Sequence, residues 1–260
     1  MDMELTGKKV LITGASQGIG EGLAHAFAAE GCSLHLVARS ADKLDALAQA
    51  IRADYGVTVA VQALDLTEPG AIDRLVGVCG VVDVLVNNAG AIPGGDLWEI
   101  DAERWRAGWE LKVFGYIDLT RTMYRLMKAN GGGVILNNIG NGGEVFDFNY
   151  IAGTTGNASL MAFTRALGGR SLDDNIRVVG VNPGPVATAR IEGLLKKRAK
   201  TLYGDEGDYR QLSRAYPLGR PAHVAEVASL FVFLASPRSG YTSGAIFTVD
   251  GGIASRRSIT

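Results

Sequence analysis

Lys8-Lys9-Val10-Leu11-Ile12-Thr13-Gly14-Ala15-Ser16-Gln17-Gly18-Ile19-Gly20 decides how the rest of the chain is read. Residues 8–13 form an apolar, β-branched run, the pattern of a buried strand. From Ile19 onward, Leu23, Ala26 and Phe27 recur at helical spacing. A glycine-rich turn between a strand and a helix is the opening of a dinucleotide-binding unit. In that reading Gly14 permits the tight turn. Gly18 keeps a Cβ out of the path of a pyrophosphate, and Gly20 lets the helix pack close to the strand. The helix then presents free N–H groups and the positive end of its dipole to phosphate. A tight turn with no ligand carries the same glycines, so later residues must decide.

The next strand, Ser33-Leu34-His35-Leu36-Val37-Ala38, ends in Arg39 and Ser40. In a doubly wound fold this strand end faces the adenosine ribose, where a carboxylate binds the 2′-hydroxyl of NAD. A guanidinium with a neighbouring hydroxyl suits a 2′-phosphate instead, so NADP(H) is expected over NAD(H). A solvated charge opening the following helix is the other reading of Arg39. Strands and helices then alternate. A helix with Leu44, Leu47 and Ile51 on one face spans 41–55, a strand 57–64, a helix 68–78 and a strand from Asp83. A long helix over 102–130, a strand from Val134, a helix over 151–172, a strand from Ile176, a helix over 217–236 and a last strand from Ala245 complete the series. The pattern predicts an α/β, Rossmann-like, doubly wound and mostly parallel seven-stranded sheet with helices on both faces, in a single domain over 1–260.

Composition agrees with one domain. The chain has 260 residues, and 47% of them are hydrophobic, enough for one large core. A net charge of -1 gives no bulk attraction to nucleic acid or to an anionic membrane. No apolar run approaches the ~20 residues of a membrane span. The acidic start Met1-Asp2-Met3-Glu4 lacks the basic and apolar regions of a signal peptide. Cys32 and Cys79 make no disulfide framework and read as reduced core residues. These features favour the cytoplasm, and no metal is expected.

The Thr-Gly-x-x-x-Gly-x-Gly turn, Asn87-Asn88-Ala89-Gly90 at a strand end, Pro183-Gly184-Pro185-Val186-Ala187-Thr188 and the closing Asp250-Gly251-Gly252 come in order along the chain. Together they resemble the short-chain dehydrogenase/reductase family over nearly its whole length. The resemblance implies that Asp65 and Leu66 border the adenine, although Asp65 also reads as an N-cap or turn residue. Asn88, Ala89 and Gly90 would tie strand ends together and leave room for the cofactor. Pro183, Gly184 and Val186 would lie over the nicotinamide, with Thr188 on its carboxamide. Residues 189–216 would be the variable substrate lid; their run Lys196-Lys197-Arg198-Ala199-Lys200 also reads as a solvated helix face. The family also implies a dimer through the two long helices and a tetramer completed by the last strand.

The family's acid–base machinery is a Tyr-x-x-x-Lys pair, a serine thirteen residues before the tyrosine and an asparagine on the preceding helix. Gapless counting back from Ile176-Arg177-Val178 and Pro183-Gly184 puts the tyrosine position at Gly153 and the lysine position at Asn157. The serine position becomes Gly140, and Lys112-Val113-Phe114-Gly115 stands where the family has Asn-x-x-Gly. Tyr150 lies close to one turn before Gly153. Two accounts are open. Either Tyr150, Lys112 and Asn157 form a relocated catalytic set acting on a small-molecule substrate, with the Lys112 cation lowering the tyrosine's pKa, or the chain binds the dinucleotide without turnover, as a sensor, scaffold or partner subunit. Tyr150 also reads as a loop residue packed on the helix start, and Lys112 as a surface or interface cation. Asn137, Asn138, Asn141, Glu144 and Asp147 are expected at the pocket mouth, unless they serve loop hydrogen bonding.

Overall fold

The computed structural model describes residues 1–256. The expected alternation is present. β1 (Lys9–Thr13), α1 (Gly18–Ala29), β2 (Ser33–Ala38), α2 (Ala41–Tyr55), β3 (Val59–Ala63), α3 (Ala71–Cys79) and β4 (Val84–Asn87) make the first half. The second half contains α4 (Ala102–Trp109), α5 (Gly115–Ala129), β5 (Gly133–Asn138), α6 (Ile151–Gly168), β6 (Ile176–Pro183), α7 (Ala189–Tyr203), α8 (Tyr209–Ser213), α9 (Val224–Ala235) and β7 (Ile246–Val249). Seven strands pair in the order β3-β2-β1-β4-β5-β6-β7, every neighbour parallel.

The period of two along each strand divides the core between the faces of the sheet. Val10, Ile12, Val84, Val86 and Leu136 join Leu23, Phe27 and Phe231 on the side of α1 and α9. Leu11, Leu85 and Ile135 join Leu75, Leu119 and Met123 on the side of α3 and α5. Both faces are covered, which is why these strands read as continuous apolar runs rather than alternating ones. Cys32 and Cys79 are free thiols in these cores. Burial pushes the Cys32 thiol up to about 12. None of the described helices is long and apolar enough to cross a membrane.

Two expected elements differ. The helix over 102–130 is interrupted: Glu110–Phe114 forms a π-helical turn between α4 and α5. The helix over 217–236 begins only at Val224. Pro217–Gly219 is a separate turn, in which Leu218 takes a left-handed conformation at φ 57°. Proline fixes the first turn geometry, and the left-handed residue ends it before a helix can propagate.

Candidate active site

The crevice lies where β1 and β4, adjacent in the sheet, send their connections to opposite sides. Gly14 and Gly18 have φ of +65° and +62°, values costly for side chains with a Cβ. A Cβ on Gly20 would overlap the Gly14 carbonyl oxygen. Gln17, at the N-cap of α1, provides no side-chain cap, so the first N–H groups of that helix remain open toward the crevice. Ser16 and Ile19 flank the same turn, Ile19 half-buried against the core. A cradle of positive-φ glycines beneath an uncapped helix N-terminus fits a dinucleotide pyrophosphate.

A hydrogen-bonded brace holds the cradle to the neighbouring strands. Thr13 Oγ1 accepts from the backbone N–H groups of Asn88 (2.9 Å) and Ala89 (3.0 Å). Asn88 Nδ2 donates to the Thr13 and Gly14 carbonyls, while its Oδ1 accepts from Asn138 Nδ2. Asn87 Nδ2 reaches Asn137 Oδ1 and Thr120 Oγ1, and Asn137 Nδ2 reaches Thr164 Oγ1. Asn137 and Asn138 are therefore buried struts rather than pocket-mouth residues. Their carboxamides are engaged by neighbours because unpaired amides in the core are costly. The rest of that expected cluster is also engaged. Asn141 Nδ2 donates to Asp250 Oδ2. Glu144 accepts from Asn182 Nδ2 and Thr248 Oγ1, and exposed Asp147 accepts from the Asn149 N–H. The bonds from Asn141 and Glu144 tie the loop after β5 to the end of β7.

At the end of β2 Arg39 and Ser40 are exposed. Arg39 lies 3.8 Å from Asp65 Oδ2, a loose pair. Asp65 takes the turn role: it accepts from the N–H and hydroxyl of Thr67, bonds that hold its carboxyl below the usual range, with Arg39 a lesser cause. Leu66 is half-buried against the β4–β5 side of the core. Lys43, not singled out from the sequence, donates from α2 to Gln17 Oε1 at 3.0 Å. Its spacing of four from Arg39 at the start of a helix is the signal that could have found it. A groove lined by Arg39, Asp65, Thr67, Ala91, Pro93 and Leu111 runs from this end to the π-helical turn.

Lys112 sits in that turn. Its stem crosses Gly90, where an added Cβ would meet Lys112 Cδ at 2.8 Å. Its ammonium donates to the Ile139 carbonyl beyond the end of β5. It is not a surface cation. Burial, and secondarily the charge of Arg190, lowers its pKa to about 7. Arg190, also missed in the sequence, belongs to the first turn of α7 and donates to the Ile92 carbonyl at 3.2 Å. Thr188 caps that helix through Ile191 N–H, and its methyl would meet a Cβ on Gly18 at 3.2 Å. Pro183, Gly184 and Val186 lead into it from β6, and Gly184 N–H bonds Val249 O.

Tyr150 is the N-cap residue of α6 rather than part of the helix, at φ −140°, ψ 36°. Its ring nonetheless folds over Gly153: a Cβ there would overlap the ring carbon bearing the hydroxyl. The phenol therefore ends near the root of a side chain at position 153, not near its tip. Asn157 is buried, and its Oδ1 has no hydrogen-bond partner among the described residues. Its Nδ2 would lie 3.2 Å from a Cβ on Gly140 and 3.1 Å from one on Gly142. Gly140 has φ +121°, which a serine adopts only with strain. Lys112 from the π-helical turn, and Tyr150 and Asn157 from the start of α6, thus converge on the Gly140–Gly142 turn.

Known proteins share this architecture. Residues 14–254 match the family described as Enoyl-(Acyl carrier protein) reductase. Oxidoreductase UcpA of Salmonella typhimurium is 32% identical over 96% of this chain and 95% of its own length. Sorbitol dehydrogenase of Cereibacter sphaeroides is 32% identical over 96% and 98%. The structure of L-sorbose reductase from Gluconobacter frateurii, complexed with NADPH and L-sorbose, matches with a TM-score of 0.92 and 35% identity, over 99% of this chain and 100% of that one. Strand order, glycine cradle and matches along nearly the whole length agree: the chain belongs to the short-chain dehydrogenase/reductase family and is an NAD(P)-dependent oxidoreductase.

Proposed function

We propose that the protein interconverts a small-molecule carbonyl compound and its alcohol with NADP(H) in preference to NAD(H), using acid–base groups other than the family's usual four. The observation that carries this reading is the cofactor cradle, complete from the uncapped N-terminus of α1 to the Thr13–Asn88 brace and ending in cations rather than a carboxylate at β2. When bound, NADPH supplies the hydride. Gly14, Ser16, Gln17, Gly18, Ile19 and Gly20 hold its pyrophosphate. Arg39 and Ser40, with Lys43 beside them, take the 2′-phosphate, and Asp65 and Leu66 border the adenine. Asn88, Ala89 and Gly90 leave space for the nicotinamide half. The unpaired Asn157 Oδ1 accepts a ribose hydroxyl, and Pro183, Gly184, Val186 and Thr188 close over the ring.

Lys112, Tyr150 and Asn157 are the proposed catalytic set, and residues 189–216 the lid over the substrate. The sorbitol and L-sorbose relatives make ketoses and polyols the first substrates to assay. The protein works in the cytoplasm as a homodimer or homotetramer, and no membrane or nucleic acid takes part.

Titration with NADPH and NADH, followed by tryptophan-to-nicotinamide energy transfer, tests the cofactor assignment. Tight NADPH binding that Arg39→Asp weakens by about 10–100-fold, the worth of a charge-assisted hydrogen bond, supports it; equal affinity for both overturns it. A second reading rests on the Tyr150 hydroxyl ending at the root of position 153: the protein binds NADP(H) without turnover. NADPH binding without reduction of any ketose, aldehyde or diketone favours it.

A further inference from the structure

We propose that Lys112, not a tyrosine, donates the proton to the substrate's carbonyl oxygen. This rests on the NADPH-linked reading above and assigns its acid. Lys112 is the cation that the fold carries to the carboxyl end of β5. Its stem is threaded over Gly90, and its ammonium is anchored on the Ile139 carbonyl. Beside that anchor the chain has Gly140 and Gly142, and the atom nearest a Cβ at either position is Asn157 Nδ2, while Asn141 between them is engaged by Asp250. The Tyr150 phenol is folded back onto Gly153.

The charges around the ammonium favour release of a proton. Among the described residues Lys112 forms no ion pair. Arg190, from the first turn of α7, faces it with the same sign. Glu144, in the loop after β5, is held by Asn182 and Thr248. Glu110 lies in the same π-helical turn, while the Tyr116 hydroxyl one turn on donates to the Asn138 carbonyl. An enclosed ammonium without a carboxylate favours its neutral form. Its value of about 7 matches the range in which a general acid works best at neutral pH.

The step balances. A bound reduced nicotinamide, held by the α1 cradle, would supply the hydride to the carbonyl carbon, and the C=O π pair would move onto oxygen. That oxygen takes a proton from Lys112 Nζ, whose N–H bond breaks as the O–H bond forms. Oxidised dinucleotide, an alcohol and a neutral amine result, and the amine regains a proton from water.

The test uses the full chain with 13Cε-lysine labelling, NADPH, and 9,10-phenanthrenequinone as a carbonyl probe. NMR titration of the cofactor-free protein should show one Cε resonance, absent from Lys112→Met, with a midpoint near 7. Lys112→Met should lower kcat by about 10²–10⁴-fold, with NADPH affinity by energy transfer changed less than about threefold. Lys112→Arg should fold and bind NADPH but not restore turnover, because a guanidinium stays charged. Tyr150→Phe should lower kcat by less than Lys112→Met does. A Lys112 resonance titrating near 10.5, or Lys112→Met within about fivefold of wild type, overturns the proposal. So does a Tyr150→Phe variant that is dead while Lys112→Met is not, an outcome that leaves the NADPH reading standing. Wild type that binds NADPH but leaves the probe and ketoses unreduced overturns it as well. Wild type that fails to bind NADPH refutes the underlying reading instead.

Discussion

At the scale of the residue, Lys112 links stability to pH. Its folded value lies near 7 and its ordinary value is 10.5. Between these the unfolded chain holds more protons than the folded one, so stability rises with pH across that window. Below 7 both states are protonated, and the cost of the buried charge is fully present. Lys112→Met should therefore stabilise the fold by a few kcal/mol at pH 6, with the gain shrinking toward pH 10. Urea unfolding of both proteins at several pH values measures it; equal midpoints at pH 6 would show that the ammonium is solvated. Gly153 gives a second prediction. A methyl there must displace the Tyr150 ring, so Gly153→Ala should cost about 1–3 kcal/mol. Tyr150→Ala should relieve most of that cost, and a double-mutant cycle reads the coupling. That glycine stands at 140 and 153 was legible in the sequence. The direction of the Tyr150 ring was not, because an N-cap residue has extended backbone freedom that helical periodicity does not describe.

At the scale of the element, the π-helical turn is the feature that sequence reading missed. Glu110-Leu111-Lys112-Val113-Phe114 contains good helix formers and no breaker, so propensity argues for an unbroken helix. The extra residue in the turn rotates α5 around the helix axis relative to α4. Val113 of this turn and Tyr116 of α5 enter a small core with Leu160 and Met161 of α6, while the Lys112 ammonium reaches the Ile139 carbonyl. By contrast, the strands themselves were legible as short apolar, β-branched runs, although with both faces covered the run alone does not say which residue faces which side. The end of α9 carries a prediction of its own. Arg177 is buried in β6, and its guanidinium donates to the carbonyls of Leu234, Ala235, Ser236 and Ser239. The first three are acceptors that the C-terminus of α9 leaves unsatisfied, and Ser239 lies in the turn that follows. Arg177→Met preserves much of the volume, removes a donor from each carbonyl and leaves that of Ala235 without a partner. It should destabilise by about 3 kcal/mol, the scale of a charged hydrogen-bond donor, while leaving NADPH affinity unchanged. A change in affinity without a shift in the unfolding midpoint would contradict that structural role.

At the scale of the whole molecule, the order β3-β2-β1-β4-β5-β6-β7 puts the phosphate cradle, the β2 end and the π-helical turn on one edge of the sheet. Parallel strands with right-handed crossovers bring these carboxyl ends together whatever the loops contain. That is why the glycine turn, the β2 end and the Asn87–Gly90 segment could be grouped from the sequence. Acid–base groups lie on loops and helix ends, whose direction the topology does not set. The consequence for the intact protein is a stability increment that depends on which dinucleotide is present. A ligand that binds only the folded chain adds RT ln(1 + [L]/Kd), or about 2.7 kcal/mol at a hundred times Kd. For a chain of this size each kcal/mol raises the melting temperature by roughly 2–4 °C. NADPH at a hundred times its Kd should raise it by roughly 5–10 °C. NADH at the same concentration should give clearly less, because Arg39, Ser40 and Lys43 then meet no 2′-phosphate. In Arg39→Asp the order of the two shifts should narrow or invert, the carboxylate repelling the phosphate and accepting the ribose hydroxyl. Equal shifts for both dinucleotides in wild type and variant would remove the β2 end from the cofactor site, since a residue that touches the ribose cannot change charge without changing which dinucleotide stabilises the fold.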